Sequence, residues 1–348
     1  MDRSESIVTR GFLLKYNQMK SSFPRWLIIF TLGICDLIKN NRWLTESFSP
    51  SVSRSQEFET IRHCIDLAIL LSRSMIVTFA LDWTAFVQYA EQLSQMELEI
   101  DDGSVKQIKR ERKLKNWFCF VSLISYVMNY KNSFLMLKLN MEIYKIFSLL
   151  VVIVSLAAHF FLIYLIIDLC ICLKAAFRYI NNHLARFEET SPKRMLSELR
   201  RNRIMYSCAV RASQEAEKFA RHYIAWFYFQ FILFFIVNIV DILGPKNAIS
   251  VTFVLFMILD MITAGYLTLN LVAVNKVSTE GMEDLYEISY DLKSYNLQNE
   301  NNLFLNRMLW HNVGFTVSNL FLINPNFITA LLSFVLTIAL TMANYLYK

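Results

Sequence analysis

From Phe327 to Tyr347 the chain carries no charged side chain, and as a helix that stretch is roughly 31 Å long, the thickness of a bilayer's hydrocarbon core. A segment in that environment must have its backbone N–H and C=O groups satisfied, and an uninterrupted apolar run of this length does so as a helix. Four further runs meet the same test: Ile65 to Val87, Ile146 to Leu173, Tyr223 to Leu243, and Ile249 to Val274. Two weaker runs join them. Trp26 to Ile38 reaches span length by continuing to about Leu44, and Asn116 to Leu139 crosses with Lys131 and Lys138 snorkelling at one end. Composition agrees, because 55% hydrophobic and 18% charged residues in a chain of 348 leave too little polar surface to solvate a globule. The expectation is an all-α integral membrane protein with seven transmembrane helices.

Charge placement sets the orientation. With all seven runs spanning, one side receives Arg3, Arg10, Lys15, Lys20 and Arg25, then Lys106, Lys109, Arg110, Arg112, Lys113 and Lys115, then the dense set of cations from Lys174 to Arg221. The other side holds a sparser set that includes Lys39, Arg42, Arg54 and Lys246. Loops this short obey the positive-inside rule, so the N-terminus is expected in the cytoplasm and the C-terminus outside. Removing the third span would put two of the basic loops on opposite sides, so the charge bias retains it. The first apolar run lacks a small-residue cleavage site after it and reads as a signal anchor. This orientation is the reverse of a G-protein-coupled receptor's. Asn324-Pro325-Asn326-Phe327-Ile328 stands at the cytoplasmic entrance of the last span, with Asn324 as N-cap and Pro325 in the first turn.

The same pattern divides the chain into a six-helix bundle over 1–275 with a long cytoplasmic loop at 174–222, a cytoplasmic anchor segment at 276–324, and a final helix at 325–348. Ser191-Pro192 breaks the helical pattern and restarts it, so two helices are expected to extend spans four and five into the cytoplasm. Glu280, Glu283, Asp284, Glu287 and Asp291 of the anchor segment face a basic loop and are expected to pair with it.

Asp36, Asp66, Arg73, Asp82, His159, Asp168, Asp241 and Asp260 fall inside or at the ends of the spans, where an unpaired charge at mid-bilayer costs about 2.5–3.5 kcal/mol on insertion scales. Arg73 and Asp260 stand nearest mid-span, and either line a ligand cavity between spans two and six or are structural, as an ion pair or with the Asp neutralised. The remaining aspartates are expected to rest at the interface, and His159 reads as a hydrogen-bonded core residue. Span five is dense in aromatics, with Tyr223 and Trp226 expected in the interfacial belt near its cytoplasmic end. The cysteines show neither a disulfide framework nor metal-ligand spacing. No nucleophile–base pair, carboxylate dyad, phosphate loop or cofactor motif can be placed, so the expectation is a non-enzyme with no cofactor. Nothing points to nucleic acid.

Near the C-terminus the residues resemble the insect gustatory receptors, relatives of the insect odorant receptors. Gly314-Phe315 is followed by Ser318-Asn319 and Leu320, then by Thr337-Ile338, five residues from Ala339 to Ala343, and Asn344-Tyr345. The family's spacing is kept, while Ile338 stands where the family has Tyr, and Asn344-Tyr345 where it has Gln-Phe. The resemblance implies a plasma-membrane subunit of a tetrameric ligand-gated cation channel, in which four copies of the last helix line a pore and the cytoplasmic segments form a shared anchor. By the same analogy Asn344 and Tyr345 lie near an extracellular gate, with Thr337, Leu340 and Thr341 lining the pore.

The residues themselves add that Thr337, Thr341 and Asn344 recur at i, i+4 and i+7, a polar stripe on an apolar helix. Such a stripe either lines water or bonds neighbouring helices and its own backbone. The leading expectation is a gustatory-type receptor, homo- or hetero-tetrameric, opened by a small molecule to pass cations without selectivity. A non-conducting protein of the same architecture, acting in recognition or assembly, is the alternative. A transporter is disfavoured because the chain has 7 glycines and no inverted repeat.

Overall fold

Helices follow the apolar runs but do not stop where those runs stop. The structure, a computed structural model, describes residues 72, 76, 80–96, 98, 101–135, 143–186, 192–243, 251–310 and 313–346. Among them the chain forms α1 (Trp83–Ser94), α2 (Asp102–Leu135), α3 (Ile143–Ala185), α4 (Pro192–Leu243), α5 (Val251–Thr279), α6 (Met282–Asp291) and α7 (Tyr295–Leu309). A two-stranded antiparallel ribbon, β1 (Thr316–Val317) and β2 (Phe321–Leu322), then leads to α8 (Pro325–Leu346). Expected spans four to seven, and the third as far as Leu135, are helical except for Ile249 and Ser250 and for Tyr347, which lie outside the described residues. The second is described only in part, and the first lies outside the described residues.

The end of the second span differs from expectation. Asp82 Oδ1 accepts the backbone N–H groups of Thr84 and Ala85, both at 3.1 Å, and so starts a new helix at Trp83. A carboxylate that satisfies first-turn donors favours a helix start over continuation, and the residues up to Val87 belong to α1. Asp101 does the same for α2 through the Ser104 N–H at 2.7 Å.

α3 and α4 are single helices of 43 and 52 residues, so the expected extension of spans four and five beyond the apolar stretch holds. α3 and α5 run parallel, joined by Lys174 Nζ to Asn270 Oδ1 at 2.9 Å and by Asn181 Nδ2 to the Val277 carbonyl at 2.9 Å. α2 runs antiparallel to both: Glu111 meets Lys174, and further along the ring of Phe118 packs on Tyr266 at 4.4 Å. A continuous core runs through α1, α3, α4, α5 and the short helices, with Phe177, Tyr206, Phe219, Tyr223, Phe304 and Phe315 fully buried. A smaller cluster, including Phe235, Val240, Met257, Val335 and Ala343, ties α8 to α4 and α5 further up.

Two expectations about side chains change. Tyr223 and Trp226 are buried within the chain rather than facing lipid as a belt would, and Trp226 Nε1 donates to Ser72 Oγ at 2.7 Å; Phe229 is the exposed ring of that stretch. Among the described residues the ion pair linking the basic loop to the anchor segment is Arg203–Glu300, at 2.5 Å, rather than one from Glu280, Glu283, Asp284 or Glu287; the Asp291 side chain lies outside the described residues. Glu300 wins because α7 lies along α4, where Tyr206 and Phe304 stack at 5.5 Å just beyond the pair.

Candidate functional site

α8 begins as expected: Pro325 is its first residue, and Asn324 Oδ1 accepts the Phe327 N–H at 3.0 Å. Its covering is unlike that of the two other described stretches of membrane length. Only 17% of its apolar window is buried within the chain, against 56% for the window in Pro192–Val240 and 50% for that in Met257–Tyr290, the three described stretches long and apolar enough to cross a membrane. The face that packs inward carries Val335, Ala339 and Ala343, at i, i+4 and i+8. Small side chains there let α8 lie close against α4.

Opposite that face stands the polar stripe, extended beyond Thr337, Thr341 and Asn344 by Asn326 and Ser333. Asn326, Ala330, Ser333, Thr337, Leu340 and Asn344 follow one another at spacings of four and three, the period of a helix seam that packs against copies of itself. All six are exposed, as are Thr341 and, at 78%, Tyr345. Thr337 Oγ1 donates to the Ser333 carbonyl and Thr341 Oγ1 to the Thr337 carbonyl, both at 2.8 Å. These hydroxyls therefore satisfy their protons on the helix's own backbone and keep acceptor lone pairs on the outer surface.

A second feature sits where the apolar parts of α2, α3 and α5 give way to charge. Asp168 accepts a bidentate fork from Arg112, with Nε at 2.9 Å and Nη2 at 2.8 Å, and also binds Lys115. Lys115 lies over the Tyr164 ring at 3.8 Å, and the Tyr164 hydroxyl binds Asn116. One turn further, Glu111 takes Lys174 at 2.6 Å and Arg178 at 2.9 Å. The expectation that the interface alone accommodates Asp168 is thus corrected: it is held by two cations from a neighbouring helix. Arg112 and Lys115 share one face of α2 at i, i+3, but other cations of the same stretch are spaced alike, so the sequence alone does not single them out. Burial pushes the Glu111 carboxyl up, but the hydrogen bonds and charge of Lys174, helped by Gln107 and Arg178, outweigh it and hold it below its ordinary value. Burial opposes the charge on Arg112, yet Asp168 raises its pKa.

A third link joins α4 to the ribbon preceding α8. Glu217 holds Arg221 at 2.7 Å and accepts from Thr316 Oγ1 at 2.5 Å. Phe315 is fully buried, and Gly314 adopts a φ of 129° beside Asn275, whose Nδ2 donates to the Val313 carbonyl at 2.8 Å. Ser318 and Asn319 turn the ribbon with φ of 51° and 61°.

Asp260 is half-buried on α5, while Arg73 lies outside the described residues, as do Asp36 and Asp66. Among the described residues no group of three or more His, Cys, Asp or Glu side chains is placed to hold a metal.

Long helices that carry membrane-length apolar stretches into a charged layer, with α8 the least covered of those stretches, define an all-α membrane-protein architecture. The fold is similar to that of the insect olfactory receptor OR5 from Machilis hrabei in complex with eugenol, with 14% identity over 95% of this chain and 92% of that one and a TM-score of 0.59. A second structure of the same receptor aligns over 98% of this chain and 92% of that one, at 12% identity and a TM-score of 0.49. No protein-family model and no curated protein matches the sequence. The chain has an insect olfactory receptor-like fold.

Proposed function

We propose that the chain is a chemosensory receptor of the gustatory-receptor type, a subunit of a ligand-gated, non-selective cation channel in the plasma membrane. The observation that carries this reading is α8, a membrane-length helix bearing a polar, small-residue stripe that its own chain leaves uncovered. Such a stripe is disfavoured against lipid, where polar groups gain nothing, and favoured around a shared aqueous path. Four copies of α8 meeting along the seam would present Asn326, Ser333, Thr337, Thr341 and Asn344 to ions. Leu340 would form an apolar constriction, and Asn344 with Tyr345 the gate. Residues 276–324 serve as the anchor between subunits, identical or related, and the N-terminus lies in the cytoplasm.

The ligand is a small molecule entering the outer half of the bundle, with Arg73 and Asp260 as its polar contacts. The Machilis receptor of similar fold is in complex with eugenol, a small molecule, which supports this ligand class. Single cysteines at Thr337, Thr341 and Asn344, expressed in the full chain, test the pore. A water-soluble thiol reagent should block current through these variants and leave Val335→Cys and Ala339→Cys unaffected. Equal sensitivity on both faces, or on neither, would remove α8 from the pore.

A further inference from the structure

Of the six cations that precede Asn116, Arg112 and Lys115 turn inward to Asp168. Lys106, Lys109, Arg110 and Lys113 are all exposed, and none makes an ion pair or side-chain hydrogen bond among the described residues. Their spacing of i, i+3, i+4 and i+7 places them on one face of α2. The same face continues as Trp117, Phe120, Val121 and Ile124, which are 66%, 62%, 38% and 44% exposed. One helix face therefore changes from cations to large apolar side chains within about a turn, with an indole at the change.

Neighbouring helices make the same change at the same level. Exposed Leu255, Ile258, Ile262 and Leu269 of α5 give way to exposed Lys276, and the change falls beside Asn270, which Lys174 links to Glu111 of α2. On α4, exposed Lys218 and His222 precede exposed Phe229, next to the bond between Tyr228 and Thr268 of α5 at 2.8 Å. Because α5 runs opposite to α2, the coincidence marks a plane rather than a chain direction. A plane with apolar side chains on one side, cations on the other and Trp117 at the crossing is a water–hydrocarbon boundary.

We propose that the face formed by Lys106, Lys109, Arg110 and Lys113 binds the headgroups of anionic phospholipids in the adjoining leaflet. The inference rests on the membrane placement above and on nothing about conduction. Four cations without an ion-pair partner among the described residues, beside an apolar, lipid-facing surface, complement a phosphate or carboxylate that arrives with its own acyl chains. Each cation near the surface strengthens attachment about fivefold, an effect that fades within a Debye length. Lys113 and Arg110 lie within about 10 Å of Trp117 along the helix axis and Lys106 about 16 Å away, so the contributions decline in that order.

The full chain is reconstituted in phosphatidylcholine nanodiscs with and without phosphatidylserine, and retained lipids are counted by native mass spectrometry. The variant neutralises Lys106, Lys109, Arg110 and Lys113 to Gln. A control neutralises Lys193, Arg200, Arg201 and Arg211, exposed cations further from the plane, and removes the same charge. Wild type and control should retain phosphatidylserine, and the α2 variant should lose it. Single Lys113→Gln and Lys106→Gln chains, which disturb folding least, should show the larger loss at Lys113. Equal retention by the α2 variant, equal loss in the control, or displacement of phosphatidylserine by inorganic phosphate would overturn the proposal. So would loss of subunits from the assembly in the α2 variant, which would assign the face to a second copy. A chain that enters nanodiscs but shows no preference refutes only this inference, whereas one that fails to enter them refutes the membrane reading.

Discussion

Asp168 receives two cations from α2, and both would lose their counter-charge with it. Replacing Asp168 by Ala is expected to destabilise the chain by about 3 kcal/mol, the lower figure for breaking a buried pair because this carboxylate keeps some exposure. Thermal unfolding in detergent should show the loss, and adding Arg112→Met and Lys115→Met should recover most of it. Glu111 gives a pH signature. Its carboxyl is held below the ordinary value by partners it gains on folding, so its stabilisation is present above the unfolded carboxylate value of about 4.3 and disappears as pH falls through the lower folded value. The melting temperature should drop on acidification through that window, and Glu111→Gln should flatten the drop. Neither network was visible as such in the sequence. The cations before Asn116 read as one basic loop, and only the packing of α2 on α3 separates those that turn inward from those that stay outside.

At the scale of the element, the helix starts were legible because their chemistry is local. Asn324 caps α8, Pro192 opens α4, and the long extensions of α3 and α4 follow from uninterrupted patterns. Asp82 was misplaced into a span because hydropathy does not register that a carboxylate two residues before a first-turn N–H starts a helix. Asn324→Ala should cost about 1 kcal/mol of helix-start stability, read as a lower melting temperature. Gly314 matters through backbone geometry: a φ of 129° suits glycine, and a Cβ there would meet Leu322 Cδ1 at 3.2 Å and Asn275 Cβ at 3.3 Å. Gly314→Ala is expected to destabilise the ribbon by about 1–3 kcal/mol and reduce the surface-resident fraction, measured by surface biotinylation. The Gly-Phe pair that carried the family resemblance thus has a structural office, fastening the ribbon between α4 and α8.

At the scale of the molecule, the chain builds two layers with different chemistry. The apolar layer holds the bundle, and the charged layer continues α3 and α4 and gathers α6, α7 and the ribbon against them. α8 belongs to the first layer but is the least covered of the three described stretches of membrane length, and that imbalance leads to the account of a shared pore. The sequence shows the polar stripe, yet cannot show that it lies opposite the face packed on α4; the fold supplies that relation. The most direct test is whole-cell current from cells expressing the full chain, compared with Asn344→Ala and Tyr345→Ala at matched surface expression. The account predicts a cation current, as leak or in response to a small-molecule panel, whose amplitude or ion preference changes with either substitution. A current that both substitutions leave unchanged, or none from surface-resident protein across the panel, would contradict it.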